Sequence, residues 1–225
     1  MILEIVTTTA DETIFAHENG ADRVELVSGI TEGALTPTLG ALKGVAAKRI
    51  PAFCMIRPHA HGFVYSNNDI EEMREDIINL RDYASVFLFG VLTENKEIDE
   101  EKLIKLLEVV GDVPVTFHKA IDGTPDFRKS VETLAKYPQI KRILSNVGVS
   151  EPIGNEEEIR KQLAFCKEHG ITVTFAGGVN LENIPALKKA GVEEIHISSA
   201  ARIDGLAKNK LCPNRIQKFN QLRKQ

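Results

Sequence analysis

The 225 residues include a 43% apolar share and 28 basic against 32 acidic side chains, for a formal net charge of -4. Lys and Arg gather only in the last residues, Arg215 to Lys224, which read as a solvated helix, so there is no electrostatic footprint for nucleic acid. No apolar run reaches bilayer length, and the N-terminal Met-Ile-Leu-Glu-Ile meets a carboxylate at once. With three scattered cysteines (Cys54, Cys166, Cys212), a cytoplasmic chain without a membrane partner is expected.

Short β-branched or aromatic runs recur along the chain with helical stretches between them. They lie at Ile2 to Val6, Arg23 to Val27, Ala52 to Arg57, Val86 to Val91, Val113 to His118, Arg142 to Ser145, Thr172 to Ala176 and Glu194 to Ser198. Helix punctuation follows the runs. Thr9 with Glu12 has capping-box spacing and Gly20 closes that helix; Asn155 with Glu158 and Gly170 repeats the arrangement. Thr124-Pro125 offers an N-cap followed by proline at N1, and Asn180 with Gly191 brackets a short helix. Eight strand-helix units without a dividing linker predict an α/β fold, a single-domain (β/α)8 barrel of parallel strands over residues 1-225. The Gly, Thr and Pro-rich connection from Gly29 to Gly40 and the segment Pro58 to Asn68 both follow strands, which puts them at the C-terminal face.

Strand alternation assigns each run two faces. Leu3, Ile5, Val24, Leu26, Ile56, Val115, Phe117, Val173, Phe175, Ile195 and Ile197 suit the helix layer. Their neighbours Glu4, Glu25, Met55, Arg57, Thr116, His118, Thr172, Thr174, His196 and Ser198 then point inward. Barrel interiors are ordinarily filled by Val, Ile and Leu. Two Glu, an Arg and two His there must pair or line a wet pocket, because burial without partners costs on the order of several kcal/mol.

Several of these stretches, read together, resemble one family. They are Arg23-Val24-Glu25-Leu26 with Thr31 to Thr38, Met55-Ile56-Arg57-Pro58, Gly90-Val91-Leu92-Thr93, Thr116 to Asp122, Gly177-Gly178-Val179-Asn180 and Glu194-Ile195-His196. In this order along nearly the whole chain they are similar to the CutC family of copper homeostasis proteins. The resemblance implies a TIM-type barrel, a cytoplasmic location, a homodimer, a part in copper homeostasis and a copper ion as ligand. Val6 and Val27 stand where many members carry cysteine, which removes the soft thiolates a Cu(I) site uses. His59-Ala60-His61-Gly62 replaces the arginine-glycine run that follows Arg-Pro in relatives.

The candidate catalytic residues are Glu4, Glu25, Arg57, His118 and His196. A guanidinium beside carboxylates would hold them ionised, and a histidine near them could move a proton around neutral pH. Glu4 alone reads better as part of an internal ion-pair network closing the barrel. Gly177, Gly178, Asn180, Ser198 and Ser199 match the usual barrel cup for a small anionic or phosphorylated ligand, and Asp122 could orient it or cap its own turn. An alternative to copper handling is therefore a metal-independent lyase, isomerase or hydrolase acting on such an anion at the C-terminal face. His59 and His61 could chelate a divalent ion but lack a third ligand. Lys119 takes the parity opposite to His118, which disfavours Schiff-base chemistry.

Overall fold

The computed structural model describes residues 1-224. Eight parallel strands close into a ring in chain order: β1 (Ile2–Thr7), β2 (Arg23–Leu26), β3 (Ala52–Met55), β4 (Val86–Phe89), β5 (Val115–Phe117), β6 (Ile140–Ser145), β7 (Thr172–Phe175) and β8 (Glu194–Ile197). Helices α1 (Ala10–Glu18), α2 (Leu39–Ala46), α3 (Asn67–Leu80), α4 (Glu100–Leu107), α5 (Phe127–Ala135), α6 (Glu156–Glu168), α7 (Ile184–Ala190) and α8 (Pro213–Lys224) alternate with them. This is the single-domain TIM-type barrel that the alternation predicts.

Helix starts follow local chemistry, with four departures from expectation, the first at Asn155, which precedes α6 without a side-chain cap because its amide group donates to the Glu151 carbonyl. The Thr9 hydroxyl accepts from the Glu12 amide at 3.1 Å, but the Glu12 carboxylate returns to Thr8 instead of completing the box. Helix α5 starts at Phe127 under an Asp126 cap, because Thr124 is bonded back to the Ile121 carbonyl at 2.7 Å. Asn180 does not open α7: its side-chain oxygen caps the amides of Glu182 and Asn183, and the helix begins at Ile184. The C-terminal helix is not merely solvated either. In α8, Ile216, Phe219 and Arg223 are buried, and Arg223 pairs with Asp22 beside the start of β1.

Two hydrophobic layers result. The outward set of Leu3, Ile5, Val24, Leu26, Cys54, Ile56, Phe117, Phe175, Ile195 and Ile197 packs in one cluster with the helices. Inside the ring, Val6, Val27, Phe53, Met55, Val86, Leu88, Leu144 and Ala176 form a second, smaller cluster. Below that inner layer the barrel is plugged by charge. Arg23 Nε donates to Glu4 at 2.6 Å, and its Nη2 donates to Glu194 at 2.6 Å and to Thr174 at 2.8 Å. Arg142 Nε reaches Glu194 at 2.9 Å. Strand register sets Glu4 opposite Arg23 on β2 and His196 on β8, and Thr174 opposite Glu194. No helix among the described residues is long and apolar enough to cross a membrane.

Candidate functional site

Above the inner layer, at the C-terminal ends of the strands, lies a cavity of about 210 Å³. Val6, Met55, Ala34 and Leu144 give it an apolar floor and wall, and Glu25, Arg57, His118, Lys119, His196 and Ser198 supply the polar groups. Larger grooves of 290, 350 and 460 Å³ lie elsewhere on the molecule, but they lack this convergence of buried titratable groups.

The deepest unit is Glu4-His196-Glu25. The Nδ1 of His196 is 2.7 Å from one Glu4 oxygen and 3.4 Å from Glu25 Oε2, and the other Glu4 oxygen takes the Arg23 bond. Burial alone would raise the Glu4 pKa, but the His196 hydrogen bond and the Arg23 charge outweigh it and hold the carboxylate down at about 2. Burial also works against ionised His196; the Glu25 and Glu4 carboxylates overcome it and raise the imidazole above its ordinary value. Glu25 has no such donor. Burial pushes its carboxyl up to about 7, Glu4 adds to the rise, His196 opposes it, and Oε2 makes no hydrogen bond. Glu4 therefore fixes the imidazole through an Nδ1–H bond and leaves Nε2 without a protein partner, a carboxylate-histidine arrangement that sets the tautomer.

His118 differs from His196 in charge and in the nitrogen that carries the proton. It follows β5, and its Nδ1 accepts from the Ala120 amide at 3.3 Å, which places the ring proton on Nε2. Burial, with the nearby charges of Arg57 and Lys119, lowers its pKa to about 3, so the ring is neutral. Nε2 is buried without a partner. The ring fits only because residue 90 is glycine, since a Cβ there would stand 2.5 Å from His118 Nδ1.

Arg57 does not lie beside the carboxylates as the sequence suggests; Arg23 fills that role. The Arg57 guanidinium donates to the Gly33 carbonyl, lies 4.8 Å over the Phe63 ring and keeps Nε buried without an acceptor. Phe63 also packs against His118, with ring centroids 4.8 Å apart. It follows β3 in an irregular loop, where no periodicity marks it. Lys119 corrects a second expectation: β5 ends at Phe117, so strand parity no longer governs residue 119, and a 3₁₀ turn carries it to the cavity wall. Its ammonium pairs with Asp122, which also accepts from Ser145 and from the Asn146 amide.

The expected anion cup is only partly brought together. Ser198 lines the cavity, whereas Gly177, Gly178, Asn180 and Ser199 lie outside its lining. Gly177 and Gly178 both adopt left-handed backbone, with φ of 99° and 73°. His59 and His61 stack on each other away from the cavity; His59 Nδ1 accepts from the His61 amide at 3.2 Å and Nε2 faces Asp69 at 3.5 Å. Both nitrogens of His59 are thus occupied, and the pair forms no chelate. Cys54 and Cys166 are buried, Cys212 is half-buried, and none lines the cavity. Glu4, Glu25 and His196 bring ligand atoms within 4.8 Å of one another, the spacing of a metal site, but Glu4 is already bound to Arg23 and His196.

Comparisons with known proteins agree with the barrel. The chain is 34% identical over 206 residues to a human protein named copper homeostasis protein cutC homolog, covering 90% of this chain and 75% of that one. It is 33% identical over 208 residues to the family protein CutC of Photorhabdus laumondii, covering 89% and 80%. The crystal structure of CutC from Streptococcus agalactiae superposes with a TM-score of 0.79 at 28% identity, over 87% of this chain and 97% of that one. A phosphoribosylanthranilate isomerase from Thermotoga maritima, at 15% identity and a TM-score of 0.59 over 100% and 99% of the two chains, shares the fold alone. The family model described as the CutC family matches residues 1–201, and the chain belongs to that family.

Proposed function

We propose that this barrel takes part in copper homeostasis, the role in the names of its relatives, and that its cavity carries out proton transfer on a small organic anion. The second statement rests on one observation. Three buried polar atoms without partners, Glu25 Oε2, Arg57 Nε and His118 Nε2, belong to residues that line a single cavity. Unsatisfied buried groups are costly to a fold, and a ligand that meets them removes that cost. Arg57 holds the anion. A proton leaves a carbon of the ligand for ionised Glu25, whose carboxyl near 7 suits a general base, while His196, favoured as the cation by the Glu4 and Glu25 carboxylates, can donate from Nε2–H. Charge that develops on the neighbouring oxygen is met by the neutral His118 Nε2–H. Return of the proton to another atom makes the reaction an isomerisation; expulsion of a group makes it an elimination. Thermal-shift screening of carboxylated and phosphorylated metabolites tests the reading. It fails if none stabilises the wild type, or if R57Q and H118A leave a hit unchanged.

One observation favours a second reading, Cu(I) carried as cargo. The Met55 thioether and the imidazoles of His118 and His196 line the same cavity, a donor set of acceptable softness. Against it stand the absence of any thiol and the positive charges of Arg57 and Lys119 on the walls. Anaerobic Cu(I) titration of the wild type and M55L decides: saturable binding that M55L weakens supports cargo, and none rejects it. A cytoplasmic setting, supported by three unpaired cysteines, and a homodimer complete the proposal.

A further inference from the structure

Two fixed cations face each other across the mouth of the barrel. Arg57 follows β3 and is held on that rim by the Gly33 carbonyl and the Phe63 ring. Lys119 follows β5, but Asp122 directs its ammonium to the opposite rim, 3.0 Å from where a Cβ on Gly177 would stand. Gly177 comes just after β7, and in a closed ring of eight strands β3 and β7 are four places apart, on opposite sides. Any side chain at residue 177 would crowd the ammonium out of that position. The amides of Gly177 and Gly178 donate to no acceptor among the described residues, but neither glycine lines the cavity, so the donor that this end presents to it is the Lys119 ammonium beside the turn.

We infer that the ligand of this cavity is a dianion whose two negative groups are separated by a short carbon segment, one group on Arg57 and the other on Lys119. The inference rests on the small-anion reading above and specifies its substrate class. Three features support it. Arg57 is 8% exposed and is held at the cavity wall by the Gly33 carbonyl and the Phe63 ring, so it is an anchored charge and not a stray surface one. Between the cations the cavity is lined by Val6, Ala34, Met55 and Leu144, which suits carbon and not a continuous run of charge. The volume of 210 Å³ corresponds to roughly seven water-sized groups, enough for a small dicarboxylate or a phosphorylated acid. His118, His196 and Glu25 come from β5, β8 and β2 and so flank the axis between the two ends, where they reach the middle of the ligand.

Calorimetric titration with matched probes tests this: succinate against butyrate, glutarate against valerate, and 2-phosphoglycolate against glycolate, on wild type, R57Q, K119Q and K119R. The wild type should bind at least one dianion about tenfold more tightly than its monoanionic counterpart, the gain of one charge-assisted contact. R57Q and K119Q should each reduce the dianion to the monoanion level, and K119R should restore the preference. Equal binding of both partners in every pair, absence of saturable binding by any dianion, or a preference that survives K119Q overturns the clamp. Uptake of solvent deuterium into the carbon positions of the same probes reads the chemistry separately. No uptake by a dianion that binds preferentially counts against proton transfer and leaves the clamp supported.

Discussion

The two ends of the barrel interior use the same residue types to opposite ends. At the N-terminal end, Arg23, Glu4, Thr174, Glu194 and Arg142 form a network in which both carboxylates are bonded to arginine and the Thr174 hydroxyl donates to Glu194 at 2.6 Å. A few ångströms higher, Glu25, Arg57 and His118 are as deeply buried, yet each keeps an atom without a partner. Buried charge that is satisfied locks strands together, whereas buried polarity left open is a cost that a ligand can relieve. His196 joins the two regimes, with Nδ1 on Glu4 below and Nε2 free of protein partners.

The contrast predicts a graded series of effects. R23M leaves Glu4 and Glu194 facing each other without their shared cation and should destabilise the fold by about 3-5 kcal/mol, read by urea unfolding. A loss under about 1 kcal/mol would mean that the lower network is no more structural than the upper one. E25Q comes next and depends on pH. A carboxyl raised from its ordinary 4.5 to about 7 contributes stability that is present below pH 4.5 and is lost as pH rises through about 7. The wild type should therefore weaken across that window and E25Q much less, with a difference on the order of 3 kcal/mol by pH 8. Parallel pH profiles of the two proteins would remove Glu25 from the account. R57M should change stability by no more than about 1 kcal/mol, since its guanidinium spans no ion pair, while lowering dianion binding to the monoanion level; unfolding and titration of the same sample separate the two effects. K119Q is the mildest. Its side chain is 41% exposed, so loss of the Asp122 pair should cost under about 0.5 kcal/mol, seen as a melting temperature close to wild type.

Strand alternation made much of this readable from the chain. It put Glu4, Glu25, His118 and His196 on the inner face and Leu3, Leu26 and Phe175 on the outer one, because side-chain direction in a strand depends only on parity. Depth is another matter. Arg23 shares parity with Glu25, but only the register of β1 against β2 and β8 shows that Arg23, and not Arg57, meets Glu4. Parity also ends where a strand ends, which is why Lys119, one residue past His118, belongs to the cavity despite its number. Phe63 carries no periodic signal in its loop, and Asn180 carries a capping signal that an Asx-type turn uses four residues before α7 begins.

The pairing of β1 with β8 has a consequence for how the protein comes into being. Glu4 and His196 are separated by 192 residues. At about 5-20 residues per second, the acid is built into the chain roughly ten to forty seconds before its imidazole. Arg23 on β2 follows Glu4 by only 19 residues, so for most of that interval it is the β8 side of β1 that stays an open edge, and no shorter N-terminal fragment can complete the ring. Synthesis of this barrel thus has a long exposed stage that ends in a single late closure, and the appearance of ligand binding in a translation time course would mark the moment at which β8 arrives.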